Sequence, residues 1–152
     1  MTPKQWQTIR YFNPQEKWGD PEKMNYPLIQ ALERLRKYID RPVIIHCGYD
    51  MRPEGWHPKG RAVDLHIEGL HPLEQFIAAS RFNEFAGIGV YLWWHHPGLH
   101  LDNRFKPRWI ERALWGSTAP KVYLPMDVDF MRIAARLGLG ERLERPEKGQ
   151  EP

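Results

Sequence analysis

A chain of 152 residues has length for one domain with a core of its own, and 41 % hydrophobic with 27 % charged residues is the balance of a globular protein. A net charge of +3 without a Lys/Arg run or a base-reading motif argues against a nucleic-acid partner. The single cysteine, Cys47, excludes an internal disulfide and a zinc site built from thiolates, and no apolar run reaches the roughly 20 residues of a membrane helix.

Met1–Tyr26, rich in Pro and Trp, reads as an ordered wrap with little regular structure. Its first residues hold no basic region followed by an apolar stretch, so no signal peptide is expected and the chain reads as cytoplasmic. Behind Pro27, the residues Leu28, Leu32, Leu35 and Ile39 fall on one helical face with Glu33, Arg34, Arg36 and Lys37 outward, and Arg41–Pro42 ends that helix. Val43–Cys47 reads as a strand and Gly48–Trp56 as a loop. Arg61–Glu68 alternates, with Val63, Leu65 and Ile67 on one side and Ala62, Asp64, His66 and Glu68 on the other.

A second helix is predicted over His71–Asn83, with Leu73, Phe76, Ile77 and Ser80 aligned. Gly87–Leu92 and Gly98–Asn103 read as strands joined through Trp93–Pro97 in an antiparallel hairpin, Leu99 and Leu101 turned inward and His100 and Asp102 outward. Past Pro107 the periodicity weakens. It allows a short helix at Arg108–Leu114 and another within Pro125–Leu137, with Leu124, Val128, Met131 and Ala135 on one face. The order predicts an α+β domain over residues 1–138, a small antiparallel sheet with helices packed on one face, and a polar, disordered tail at 139–152.

Three residues on these elements carry the chemistry. Asp64 and His100 sit on the polar faces of alternating strands, and His57 ends a loop that turns through Gly60 into the Asp64 strand. Two imidazoles and a carboxylate from neighbouring segments suit one cation at about 2.0–2.2 Å, and three protein ligands leave a tetrahedral ion one open position, the pattern of a catalytic site. Zinc suits these donors; Mn, Fe and Ni stay compatible. Against this, seven histidines in 152 residues produce such a spacing by chance. His46, His66 and His71 read as surface or hydrogen-bonded rings, although His66 shares a face with Asp64.

At His57-Pro-Lys-Gly60-Arg-Ala62-Val-Asp64 and His100-Leu-Asp102 the chain resembles the zinc D-Ala-D-Ala carboxypeptidase family, relatives of the hedgehog signalling domain, and most of all the branch with phage L-alanyl-D-glutamate endopeptidases. RYFNPQEKW, LIQALERLRKYI and PVIIHCGYD also look like this family's approach to its site, so the resemblance runs from about Ile9 to Arg104. It implies a hedgehog/D-Ala-D-Ala carboxypeptidase-like fold with Zn2+ on His57, Asp64 and His100. It also implies hydrolysis of a peptidoglycan stem peptide or related small peptide, by an enzyme that reaches the cell wall through lysis or as part of a phage.

The chain departs from the family at the places that carry catalysis. The family's Ser-Gly-Tyr-Arg segment is Cys47-Gly48-Tyr49-Asp50 here, so the arginine that would hold a substrate carboxylate is replaced by Arg52 or Arg61. Gly55 stands where a serine precedes the first zinc histidine. No Glu lies just before His100; His95 is the expected base, with His96 in reserve, and Asp102 either takes that role or orients a ligand. Tyr91 and Trp94, with Trp93, are expected to wall the substrate, and Gly87 and Gly89 to let its backbone approach. The missing glutamate also favours an alternative, a non-catalytic zinc-binding interaction module of the same fold.

Overall fold

Alternation along the strands sets the architecture. The computed structural model describes residues 1–105 and 111–137, and at its centre β1 (Val43–Cys47), β2 (Ala62–Ile67), β3 (Gly87–Tyr91), β4 (Gly98–Asp102), β5 (Ala113–Ala119) and β6 (Val122–Pro125) form one sheet in the order β1-β2-β4-β3-β5-β6. Four helices accompany it among the described residues: the single turn α1 (Pro3–Trp6), α2 (Tyr26–Ile39), α3 (Pro72–Ser80) and α4 (Val128–Leu137). The fold is α+β. None of these helices is long and apolar enough to cross a membrane.

Val63, Leu65, Ile67, Ile88, Val90, Leu99 and Leu101 are each 1 % exposed or less, and they form the core with Leu28, Ile29, Leu32 and Leu35 of α2. Helix α3 lies on β3 and β4, flanked by α2 and α4. The helices thus take one face of the sheet and leave the other to the polar residues of the alternation.

The expected hairpin forms, pairing Gly87 with Asp102 through Tyr91 with Gly98. The sheet is mixed, however, and not wholly antiparallel. Both edges of β4 are taken by β2 and β3. A strand that reverses after β4 must then dock on the free edge of β3, where it runs parallel, and β5 does so. The helix expected at Arg108–Leu114 is not supported where it can be seen: residues 106–110 lie outside the described residues, and from Ala113 the chain is strand. The tail at 139–152 also lies outside them.

Two helical faces differ from expectation for packing reasons. In α3 the buried residues are Pro72, Gln75, Ala78 and Ala79, while Ile77 is 64 % exposed. Gln75 is inward because it serves buried backbone: its Oε1 accepts from Ile67 N at 3.0 Å and its Nε2 donates to Leu70 O and Pro97 O. In α4 the inward pair is Phe130 and Ala134, with Val128 exposed. Gly116 of β5 leaves the hollow that the Phe130 ring fills, and this sets the rotation of α4.

The aromatic wrap is structural. Trp18 is fully buried against Trp6 and Phe12, donates its indole N–H to Asn13 O at 2.8 Å and accepts Tyr49 N on its carbonyl at 2.7 Å. It thereby anchors the end of β1. Trp18→Ala is expected to cost about 3–5 kcal/mol in urea unfolding, the range for deleting a buried aromatic; a loss below about 1 kcal/mol would contradict this packing.

Candidate metal centre

The register of β1, β2, β4, β3 and β5 lines up Cys47, Asp64, His100, Gly89 and Trp115 across the open face. A bulge in β1 between Ile45 and Cys47 contributes to this row. Such an insertion bends a strand and re-aims its side chains. Here Cys47 is brought opposite Asp64.

His57 comes from outside the sheet, on a single 3-10 turn (His57–Lys59) that Gly60 closes in the left-handed region, φ +63°. A Cβ at Gly60 would overlap the Lys23 carbonyl, so glycine is required twice over. Gly60 O also accepts Asn25 N at 2.8 Å, tying the turn to the start of α2.

The three residues expected from sequence to bind metal are brought together. His57 Nε2 and His100 Nδ1 are 3.2 Å apart, and Asp64 Oδ1 lies 3.2 Å from the former and 2.8 Å from the latter. A tetrahedral ion with bonds near 2.0–2.1 Å requires ligand atoms about 3.3 Å apart, so these atoms need move only tenths of an ångström to share one.

The remaining ring nitrogens are occupied in the way metal-binding histidines require. His57 Nδ1 is 2.5 Å from Gly48 O, and His100 Nε2 is 3.2 Å from Asp102 Oδ2. Each partner holds a proton on the outer nitrogen, so that once the inner proton facing Asp64 is displaced the inner lone pair is available to a cation. Cys47 adds a thiol: it, His57 and Asp64 each offer an atom within 4.8 Å of the others, so this cluster could also hold a metal ion. Composition alone had left that single thiol without a role.

The charges are poised accordingly. Burial disfavours a charged His57, but its hydrogen bonds to Asp64 and Cys47 and the field of the carboxylate outweigh this and push it up to about 10. Burial would likewise raise Asp64, yet the two imidazoles hold it well below the usual carboxylate range. Cation binding at such a set displaces protons.

Asp102 is not free to act as a base. It is fully buried, receives Arg104 Nε and Nη2 at 2.7 and 2.6 Å on its two oxygens, and also contacts His100. Despite burial, Arg104 and His100 hold its pKa down at about 2. Its geometry is that of a group orienting the His100 ring. Gly87 permits this, since a Cβ there would overlap Asp102 Oδ2 and crowd Arg104. At Gly89 a Cβ would overlap the Trp115 indole, which lies 5.4 Å from the His100 ring. The two glycines therefore make room for the protein's own side chains, not for substrate backbone.

A cleft of about 520 Å³ opens over His57 and His100 of the triad, lined also by residues that include Arg52, Trp56, Tyr91, Arg104, Trp115 and Tyr123. A separate hollow of about 400 Å³ beside β1 has Tyr11, Glu16, Lys17 and Arg36 among its walls and none of the triad.

The other residues expected in the site divide by position. Arg52 reaches the cleft, its guanidinium paired with Asp50 at 2.8 Å. Tyr91 reaches it too, its hydroxyl accepting Trp115 Nε1 at 3.2 Å. Trp94 stacks on the Tyr91 ring at 4.2 Å and stands behind that wall. Arg61 is turned away: it donates to Asn103 O at 3.1 Å and covers the Phe105 ring, and it does not line the cleft.

His95 and His96 are exposed on the β3–β4 loop, and neither is hydrogen-bonded to the triad. Sequence reading missed Trp56, Arg104, Trp115 and Tyr123. Arg104 follows Asp102 by two residues and was within reach of a pairing argument, whereas Trp115 comes from a strand with no periodic signal. Compared with known proteins, the chain matches no family model, no curated protein and no solved structure.

Proposed function

We propose that the chain is a zinc-dependent peptidase acting on peptidoglycan stem peptides, of the kind the hedgehog/D-Ala-D-Ala carboxypeptidase resemblance implies. The observation that carries the reading is the convergence of His57, Asp64 and His100 beneath an open cleft, with Gly48 O and Asp102 behind the two imidazoles. A bound zinc on these residues would supply Lewis acidity and activate water.

The chain's own residues do the rest. Arg52, exposed at the cleft, donates its Nε and Nη2 to Asp50 Oδ2 and has its remaining guanidinium N–H groups to offer a peptide carboxylate. The Tyr91 hydroxyl accepts from Trp115, so its proton is free to donate into the cleft toward a substrate carbonyl. Trp56, Trp115 and Tyr123 give apolar walls for the peptide. His95, with His96 in reserve, is assigned to take and return the proton; neither ring lines the cleft, so the β3–β4 loop has to bring it in when substrate fills the site.

Zinc-loaded protein is expected to hydrolyse D-amino-acid-containing stem peptides, and His57→Ala to lower kcat/KM by about a thousandfold or more. Wild type without cleavage, or undiminished cleavage by the variant, rejects the reading. The exposure of His95 and His96 favours one rival, a metal-binding interaction module without turnover. A His95→Ala, His96→Ala double variant that cleaves at the wild-type rate removes both from the base role. Metal-replete wild type that cleaves nothing favours the module.

A further inference from the structure

Three imidazoles outside the triad gather on the same open face. His66 follows Asp64 by two residues on β2, and the bulge in β1 lets His46 meet it: His46 Nε2 is 2.7 Å from His66 Nδ1. Their ring planes differ by 16° with centroids 4.9 Å apart. Beside so short a nitrogen–nitrogen distance, that separation means the rings meet edge to edge. His96, from the β3–β4 loop, lies parallel to His66 at 4.8 Å and to His46 at 6.0 Å.

The hydrogen-bond accounting of this group does not close. Three neutral rings carry three N–H donors and three lone pairs, and one N–H···N bond satisfies one of each. Among the described residues no carboxylate or backbone carbonyl is hydrogen-bonded to any of the three, unlike His57 and His100, whose outer nitrogens are both held. All three rings are partly or fully open to solvent. The His46 and His66 nitrogens, converging in reach of water, are a donor pair for borderline transition-metal dications, and the His96 ring lies alongside them without yet pointing a nitrogen between them.

We propose that His46, His66 and His96 form a second metal site, distinct from the triad, for a dication such as zinc or nickel. His46 and His66 supply the converging pair, the ion replacing the proton between them. His96 becomes the third donor by rotation about its broad terminal χ angle, and water completes the shell. The inference goes beyond the peptidase reading and does not need it; an ion on His96 takes that ring out of the base role and leaves His95 there.

Tag-free, chelator-stripped full chain titrated with Zn2+ by calorimetry tests it, with Ni2+ as a second probe. An equivalent of metal that disappears in His46→Gln, His66→Gln and survives in His57→Ala is expected, with His96→Gln weakening it about tenfold. Circular dichroism verifies that each variant is folded. Wild type is expected to bind two equivalents. If the triad binds nothing, one equivalent is left, lost in the double variant but not in His57→Ala, so failure of the triad and failure of this site give different results. The proposal is overturned if the double variant keeps every equivalent of the wild type at the same affinity, as a merely hydrogen-bonded pair would dictate.

Discussion

Asp64→Asn is expected to lower zinc affinity by roughly a hundredfold to a thousandfold while leaving the fold in place. One carboxylate oxygen, Oδ1, is the meeting point of both imidazoles, 2.8 Å from His100 Nδ1 and 3.2 Å from His57 Nε2. An amide in its place carries no charge and, in one of its two orientations, presents an N–H donor to the cation. Structural zinc is held by about 10–16 kcal/mol, so an even share for one of four ligands is about 2.5–4 kcal/mol, roughly two to three decades in affinity.

A competition titration against a chromophoric chelator measures it. The same loss is visible as stability. Zinc at a thousand times its Kd stabilises the wild type by about 4 kcal/mol, and at that concentration the variant gains little. An affinity within threefold of wild type would remove Asp64 from the metal site.

Asp102→Asn and Gly87→Ala are expected to weaken metal binding by about 10–100-fold without touching a ligand. The Asp102 carboxylate accepts Arg104 Nε, Nη2 and backbone N, and it contacts His100 Nε2. An amide must turn a donor toward one of these donors, and Arg104 loses its counter-charge. Breaking a buried ion pair costs about 3–5 kcal/mol, and the 27 % exposure of Arg104 places the cost toward the lower end.

Gly87→Ala reaches the same pair from β3, since its Cβ and the carboxylate claim one space. Denaturant unfolding and the zinc titration are the readouts; a Gly87→Ala protein that matches wild type in both contradicts the arrangement. The acid limb offers a further test. Asp102 is held down at about 2, below an unfolded carboxylate near 3.9, so its contribution is full above that range and is lost as pH falls through it toward 2. The Asn variant lacks this portion of the acid dependence.

The local pattern of residues was sufficient for the elements that the site depends on. Alternation along β2 and β4 assigned Val63, Leu65, Leu99 and Leu101 to the core and left Asp64 and His100 on the other face, because a pleated strand has a period of two. Helix α2 was legible from its leucines and from Pro27. The rotation of α3 and α4 was not, because Gln75 is drawn inward by backbone groups of Ile67, Leu70 and Pro97, and Phe130 by the hollow at Gly116. Strands β5 and β6 escaped notice since the segment 113–125 mixes small, aromatic and proline residues without a sustained period.

Within the site, residue type and spacing singled out His57, Asp64 and His100. Packing alone assigned Gly87 to the Asp102–Arg104 pair, seated Trp115 over Gly89 beside His100, and turned Arg61 away toward Asn103. These placements depend on contacts between strands far apart in the chain, which no local periodicity encodes.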